Sequence, residues 1–214
     1  MTTRSLPLFH LPGVVLLPGT LLPLHVFEPR YREMVAHALA GGRVIGMAML
    51  KPGFEDDDGG SPVYAVGGAG EIVESEELED GRYNILLEGR FRFRILEESP
   101  ADPYRVARVE EVASLPFSSS AEQARVSDLA SNIFSMIRPE LDLPALPEGD
   151  MPPERLASEI ALRLRYGPQD LQAILETNSL PARFATLIGR MLEWQKRMEF
   201  LAPFRPAELD STRN

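Results

Sequence analysis

LPLFHLPGVVLLPGTLLPLHVFEPRYREMVAHALAGGRVIGMAML, residues 6–50, decides the fold. Its first half is apolar and punctuated by Pro7, Pro12, Pro18 and Pro23, a spacing that no long helix tolerates. Val14–Leu24 reads as strand, with Pro18-Gly19 as a turn or bulge. Pro29 stands where a first helical residue would, behind Glu28, whose carboxylate suits the helix N-terminus. Tyr31, Met34, Val35, Ala38 and Leu39 then recur at helical spacing as one buried stripe. Gly41-Gly42 is expected to end that helix by adopting the left-handed conformation. Val44–Leu50 returns to strand character. Two strand-like stretches flank one helix and carry almost no catalytic side chains, the composition of a recognition module rather than an active site.

Beyond this stretch, residues up to about 115 continue as strands. Lys51–Pro62 reads as a loop holding the acidic run Glu55-Asp56-Asp57-Asp58. Val63–Val66 and Glu71–Val73 read as short strands on either side of Gly67-Gly68-Ala69-Gly70. Asp80-Gly81 is a turn signal before Tyr83–Glu88. Gly89 then precedes Arg90-Phe91-Arg92-Phe93-Arg94-Ile95, which alternates with period two. Tyr104–Val109 is a further strand. Six or seven strands with one early helix predict a small, mostly antiparallel barrel-like sheet.

The pattern changes near Pro116. Ser119-Ser120-Ala121-Glu122 has capping-box spacing, and Val126, Leu129, Ala130, Ile133 and Ile137 follow at helical intervals. Pro139–Pro153 reads as an extended connector. Helices are expected over Glu154–Tyr166, with Leu156 and Ile160 inward, and over Gln169–Glu176, with Leu171, Ile174 and Leu175 inward. Pro181 opens a last helix carrying Phe184, Leu187, Ile188, Met191 and Leu192. The fold class is therefore α+β. Residues 1–117 form a β-rich part, 118–202 a helical part and 203–214 a flexible tail.

Composition narrows function. The 214 residues are 44% hydrophobic and 25% charged, enough for a sizeable core without a metal or disulfide. The absence of cysteine excludes thiolate zinc sites and cysteine nucleophiles, and fits a reducing compartment. No apolar run reaches membrane-spanning length, and the prolines break any signal-peptide core, so a cytoplasmic location is expected. A net charge of −10 argues against nucleic-acid backbone binding as the main task.

Residues 6–50, with the EPRYR segment set in its P-G…LPL…F context, strongly resemble the start of the Lon N-terminal, substrate-binding domain. Val66–Ile72, Asp80–Leu96 (DGRYNILLEGRFRFRIL), Tyr104–Val109 and the helical second half follow that family's order of elements over about residues 5–195. The resemblance implies a PUA-like β pseudo-barrel with one helix, followed by a helical bundle. It also implies binding of unfolded or specific protein segments, with a protease or chaperone as a further partner. The chain contains no G-x-x-x-x-G-K-[ST] phosphate loop. Its two lysines, Lys51 and Lys196, offer no place for a serine–lysine dyad. The expectation is a stand-alone, non-catalytic member without cofactor, and one form of this reading has it supply substrate recognition in trans to a separate ATP-dependent protease.

The remaining constellations are weak as chemistry. His10, His25 and His37 are scattered; His25 and Glu28 form an H-x-x-E pair, but two ligands do not make a metal site. Asp56-Asp57-Asp58-Gly59 fails the calcium-loop pattern, because Phe54 and Ala65 occupy ligand positions. Gly67-Gly68-Ala69-Gly70 lacks dinucleotide-loop spacing and reads as a bulge or tight hairpin. Arg90, Arg92 and Arg94 are expected on one strand face opposite Phe91, Phe93 and Ile95, an RNA-binding alternative if that face is open and a solvated, acid-neutralised face otherwise. Glu28, Arg30, Arg32 and Glu33 lie off the apolar helix stripe, together with His37, and form the candidate protein-contact surface beside the Pro18–Leu24 loop. Trp194, Phe200 and Leu201 are the last helix's candidates for exposed apolar contact.

Overall fold

The computed structural model describes residues 3–54, 61–99 and 103–201. The acidic run and failed calcium pattern at 55–59 lie outside these residues, as does the 203–214 tail. Eleven elements follow one another: β1 (Thr3–Leu11), β2 (Leu21–Val26), α1 (Pro29–Ala40), β3 (Val44–Met49), β4 (Val66–Glu77), β5 (Tyr83–Ser99), β6 (Val106–Val112), α2 (Ser120–Ile137), α3 (Pro153–Arg163), α4 (Pro168–Glu176) and α5 (Leu180–Leu201).

The strands form one sheet in the order β2-β5-β4-β3-β1-β6, and an additional β5–β6 pairing closes it into a pseudo-barrel. All pairs are antiparallel except β1–β3. β5 makes closure feasible. Its 17 residues pair with β2 and β4 along one half and with β4 and β6 along the other. Bulges at Arg90 and at Leu96 bend it around the barrel.

Several sequence expectations need correction. Val14–Leu17 is not strand; it is a connector that drives Leu16 and Leu17 into the interior, each 1% exposed. The strands lie on either side of it, as β1 and β2. The Gly67–Gly70 run does not separate two strands but lies within β4. Glycine is required there by close approach: a Cβ on Gly68 would sit 2.0 Å from the Leu16 carbonyl oxygen, and one on Gly67 2.4 Å from that of Met47. The pairing does shift beside this run, between Ala69 and Gly70, but the extra residue is Arg90 of β5 rather than one of the glycines. Helix α1 ends at Gly41 with φ −117, and the left-handed residue is Arg43 at φ 58. Arg43 is held in that conformation by its N–H to the Ala38 carbonyl (2.8 Å) and its Nε to the Ile72 carbonyl (2.8 Å).

Three apolar clusters fill the molecule. Tyr31, Met34, Val35 and Ala38 of α1 close one end of the barrel against Phe9, Leu16, Ile45, Ile72, Ile85 and Leu87. Leu6, Leu8, Phe93, Ala107 and Val109 fill the other end. The helices gather around Phe134, Ile160, Phe184, Leu187 and Met191, and this third cluster takes in Leu17 and Val66 from the β half. Ser119 caps α2 by accepting from Glu122 N–H (3.1 Å), as its spacing predicts. Leu129, expected inward, is 47% exposed.

Candidate functional site

The entry to α1 is braced rather than capped. Glu28 precedes the helix without a side-chain cap. Its carboxylate instead accepts from Arg30 Nε (3.0 Å) and Nη2 (2.8 Å), and Arg30 lies 4.6 Å over the Tyr31 ring. This corrects the expected capping role and ties both charges into the scaffold. Arg32 and Glu33 lie elsewhere, lining an open cleft of about 320 Å³ with Pro29, Ala36, Glu77, Gly81 and Tyr83. The Arg32 guanidinium lies against the turn at Gly81, whose φ of +76 favours glycine. Burial, reinforced by Glu77, holds the Tyr83 hydroxyl above its ordinary pKa, with Arg32 acting in the opposite sense. The four candidate residues thus split into a brace and a cleft.

A second surface lies on the outer face of the three-stranded wing β2-β5-β4. β2 is its edge strand, and its even-numbered side chains, Leu22, Leu24 and Val26, point inward. The odd-numbered ones, Leu21, Pro23 and His25, face out, and Phe27 continues the row; Leu21 is 57% and Phe27 60% exposed. His25 and Phe27 stack with ring centroids 6.3 Å apart. A polar relay crosses the wing beside them. Arg82 donates to His25 Nε2 (3.1 Å), which leaves the Nδ1 proton for Asn84 Oδ1 (2.8 Å), and Asn84 donates to Glu76 (3.0 Å). Asp80 holds Arg82 at 2.7 Å, and hydrogen bonds from Arg82 lower its pKa. Sequence reasoning missed this surface. The signal was present as an apolar run, Leu21–Leu24 with Val26 and Phe27, interrupted at His25 alone, because an edge strand with one buried face must expose every second residue of such a run.

The backbone of β2 is only partly available. Gly89 donates to the Thr20 carbonyl (2.9 Å), which sets the alternation so that Leu22, Leu24 and Val26 bond to β5, while Leu21, Pro23 and His25 turn their backbone groups to the open edge. Pro23 has no N–H to offer there, so the edge is interrupted at its middle.

The three arginines of β5 do not share an open face. The bulge at Arg90 breaks the alternation. Arg90 is exposed and paired with Glu71 (2.9 Å) and Glu88 (2.8 Å), and Arg94 is exposed opposite Glu110. Arg92 is 1% exposed and lies under the helices. It donates to the carbonyl of Leu175 (2.9 Å), to Asn178 Oδ1 (3.1 Å) and to Ser114 Oγ (3.1 Å), with Glu154 3.6 Å from its Nε. Burial first, and the like charge of Arg183 second, push its pKa down to about 10 against the pull of Glu154, so it is charged at neutral pH. The expected row of guanidinium groups is therefore replaced by a buried cross-link and two separate surface charges.

The histidines are dispersed. His10 is buried beside Tyr31, His25 joins the relay and His37 bonds to the Tyr104 hydroxyl (2.8 Å). His25 and Glu28 thus engage different partners. Among the described residues no group of three or more His, Asp or Glu is placed to hold a metal ion, and no helix is long and apolar enough to cross a membrane. On α5, Met191 is fully buried and Trp194 half-buried beneath Arg197, while Phe200 is 72% and Leu201 47% exposed.

Comparison with known proteins adds the family context. The model of the ATP-dependent protease La (LON) substrate-binding domain matches residues 5–193. Lon protease 2 of Myxococcus xanthus is 30% identical over 193 residues, covering 86% of this chain and 23% of that protein. The Lon protease of Syntrophomonas wolfei is 29% identical over 208 residues, covering 94% and 25%. The chain thus spans about a quarter of the length of these curated relatives. Among solved structures, the Lon N-terminal domain protein from Xanthomonas campestris superposes with a TM-score of 0.64 at 22% identity, covering 87% of this chain and 98% of that one. The N-terminal domain of Mycobacterium avium complex Lon protease gives 0.62 at 18%, covering 90% and 98%. Both share the fold described above.

Proposed function

The chain belongs to the LON substrate-binding domain family, and from that premise we propose that it is a non-catalytic polypeptide-binding module whose principal contact surface is the outer face of β2. One observation carries the assignment of the surface: Leu21, Pro23 and Phe27 stand exposed in a row on an edge strand. Single exposed apolar residues are ordinary, but a row with period two is a template for an extended chain, whose alternate side chains repeat at about 6.8 Å. The Arg32–Glu33 cleft lies on the helix side of the same wing and forms a second contact area. Glu28 and Arg30 act through their mutual bond, fixing how Phe27 leaves β2.

The test is direct. A fluorescein-labelled, unstructured apolar peptide is titrated with the protein and followed by anisotropy. Leu21→Ser combined with Phe27→Ser is expected to weaken binding about ten-fold or more, the loss of two partly buried anchors, while far-UV circular dichroism is unchanged. Equal affinity in the doubly substituted protein removes β2 as the surface.

A further inference from the structure

The outer face of the β2-β5-β4 wing carries three parallel columns, and their chemistry goes further than apolar contact. β2 supplies Leu21, Pro23 and His25; the residues opposite them on β5 are Glu88, Leu86 and Asn84; those opposite again on β4 are Glu71, Glu74 and Glu76. Val73 bulges from β4 beside them, 37% exposed. Every β4 position in this array is a carboxylate. Among the described residues the cations beside them are Arg90, held between Glu71 and Glu88, Arg82, held by Asp80, and Arg43, whose Nε donates to the Ile72 carbonyl of β4. None of the three forms an ion pair with Glu74 or Glu76, and among the described residues Glu76 accepts from the neutral amide of Asn84. The face is therefore apolar along its edge and negative two strands inward, about 10 Å away.

Resting on the reading of this surface as a polypeptide contact, we propose that it selects extended segments in which apolar residues are accompanied by lysine or arginine. The apolar side chains lie on Leu21, Pro23, Leu86 and Phe27. A segment resting on Leu86 runs above β5, one strand spacing or about 5 Å from Glu74 and Glu76, a span that the four methylenes and ammonium of a lysine cover. A second copy of the chain is the wrong occupant, since its net charge is −10 and its own wing would oppose carboxylate to carboxylate. Strand addition is also disfavoured, because Pro23 interrupts the open edge, so selection rests on side chains crossing the face.

Three labelled peptides with the same leucines and phenylalanine, interspersed with Lys, Ser or Glu, distinguish the possibilities in anisotropy titrations with the full chain at low salt. The Lys peptide is expected to bind about ten-fold more tightly than the Glu peptide, the effect of two exposed charge pairs, and the gap is expected to shrink to about two-fold near 1 M salt. Glu74→Gln with Glu76→Gln is expected to close most of the gap, whereas Glu193→Gln with Glu199→Gln on α5 leaves it open. Equal affinities for the Lys and Glu peptides, or a gap that survives in the Glu74→Gln/Glu76→Gln protein, overturn charge selection while leaving polypeptide binding intact. Failure of all three peptides to bind overturns both readings together.

Discussion

Arg92 shows how far a single residue departs from its sequence pattern. In a period-two run, an arginine between two phenylalanines reads as the solvated side of a strand. Here that side is covered by the α4–α5 connection, and the guanidinium becomes its anchor. Arg183 joins it, donating to Glu154 (3.0 Å) and to the Thr177 carbonyl (2.6 Å), and Ser114 donates to the same carboxylate. Burying two cations against one carboxylate is favourable only because carbonyls supply the remaining acceptors. Arg92→Met therefore leaves several buried acceptors without a donor. It is expected to cost about 3–5 kcal/mol, the range for breaking a buried charge network, read as a lower urea midpoint with an unchanged slope. A change below 1 kcal/mol would show that water replaces the lost donors. The pattern around Arg92 was visible in the sequence; its burial was not, because it depends on residues 83–86 positions away in the chain.

At the scale of elements, legibility follows the range of the forces involved. Helix α1 was readable from its stripe and α2 from its N-cap because both signals are local: Pro29, the Tyr31–Ala38 face and the Ser119 cap stand as the spacing predicts, whereas Glu28 does not cap α1 and Leu129 of α2 faces out. The strands were harder. β4 and β5 were each divided at their glycines, although Gly67 and Gly68 are glycine so that β4 can run against the Met47 and Leu16 carbonyls. Glycine marks a close approach as well as a turn, and only the neighbouring chain distinguishes them. β2 poses the opposite problem: its sequence is read easily, but its position at the edge determines what its outer residues do. Pro23 there interrupts a row of free backbone groups that would otherwise template association. Pro23→Val restores an outward N–H and is expected to produce concentration-dependent self-association, seen as larger species in sedimentation velocity above roughly 50 µM, as expected for weak edge pairing. A monomer at all concentrations would assign edge protection to the charged neighbours instead.

The whole molecule brings these scales together, because its two halves are not independently packed. The change from strands to helices between Val112 and Ser120 is plain in the sequence and in the structure. What composition and periodicity did not disclose is that the helical cluster includes Leu17 and Val66, that Gln172 donates to the Val66 carbonyl (2.9 Å), and that Leu115 exchanges backbone hydrogen bonds with Asn178 and Leu180. Together with Arg92, these contacts make each half part of the other's interior. Unfolding is therefore expected to be a single cooperative transition. The chain contains one tryptophan, Trp194, on α5, so its fluorescence reports the helices, while hydrogen exchange at β3 and β4 amides reports the barrel. In the unaltered protein the two probes are expected to yield the same unfolding free energy. In Arg92→Met they are expected to separate, with the helical probe moving to lower urea first, because the barrel retains its own two clusters while the helices lose their anchor. Coincident transitions in both proteins would show that Leu17 and Val66 suffice to couple the halves. Separate transitions in the unaltered protein would show that the interface does not couple them at all, and the wing, whose inner side packs on α1, would then keep its outer face independently of the helical half.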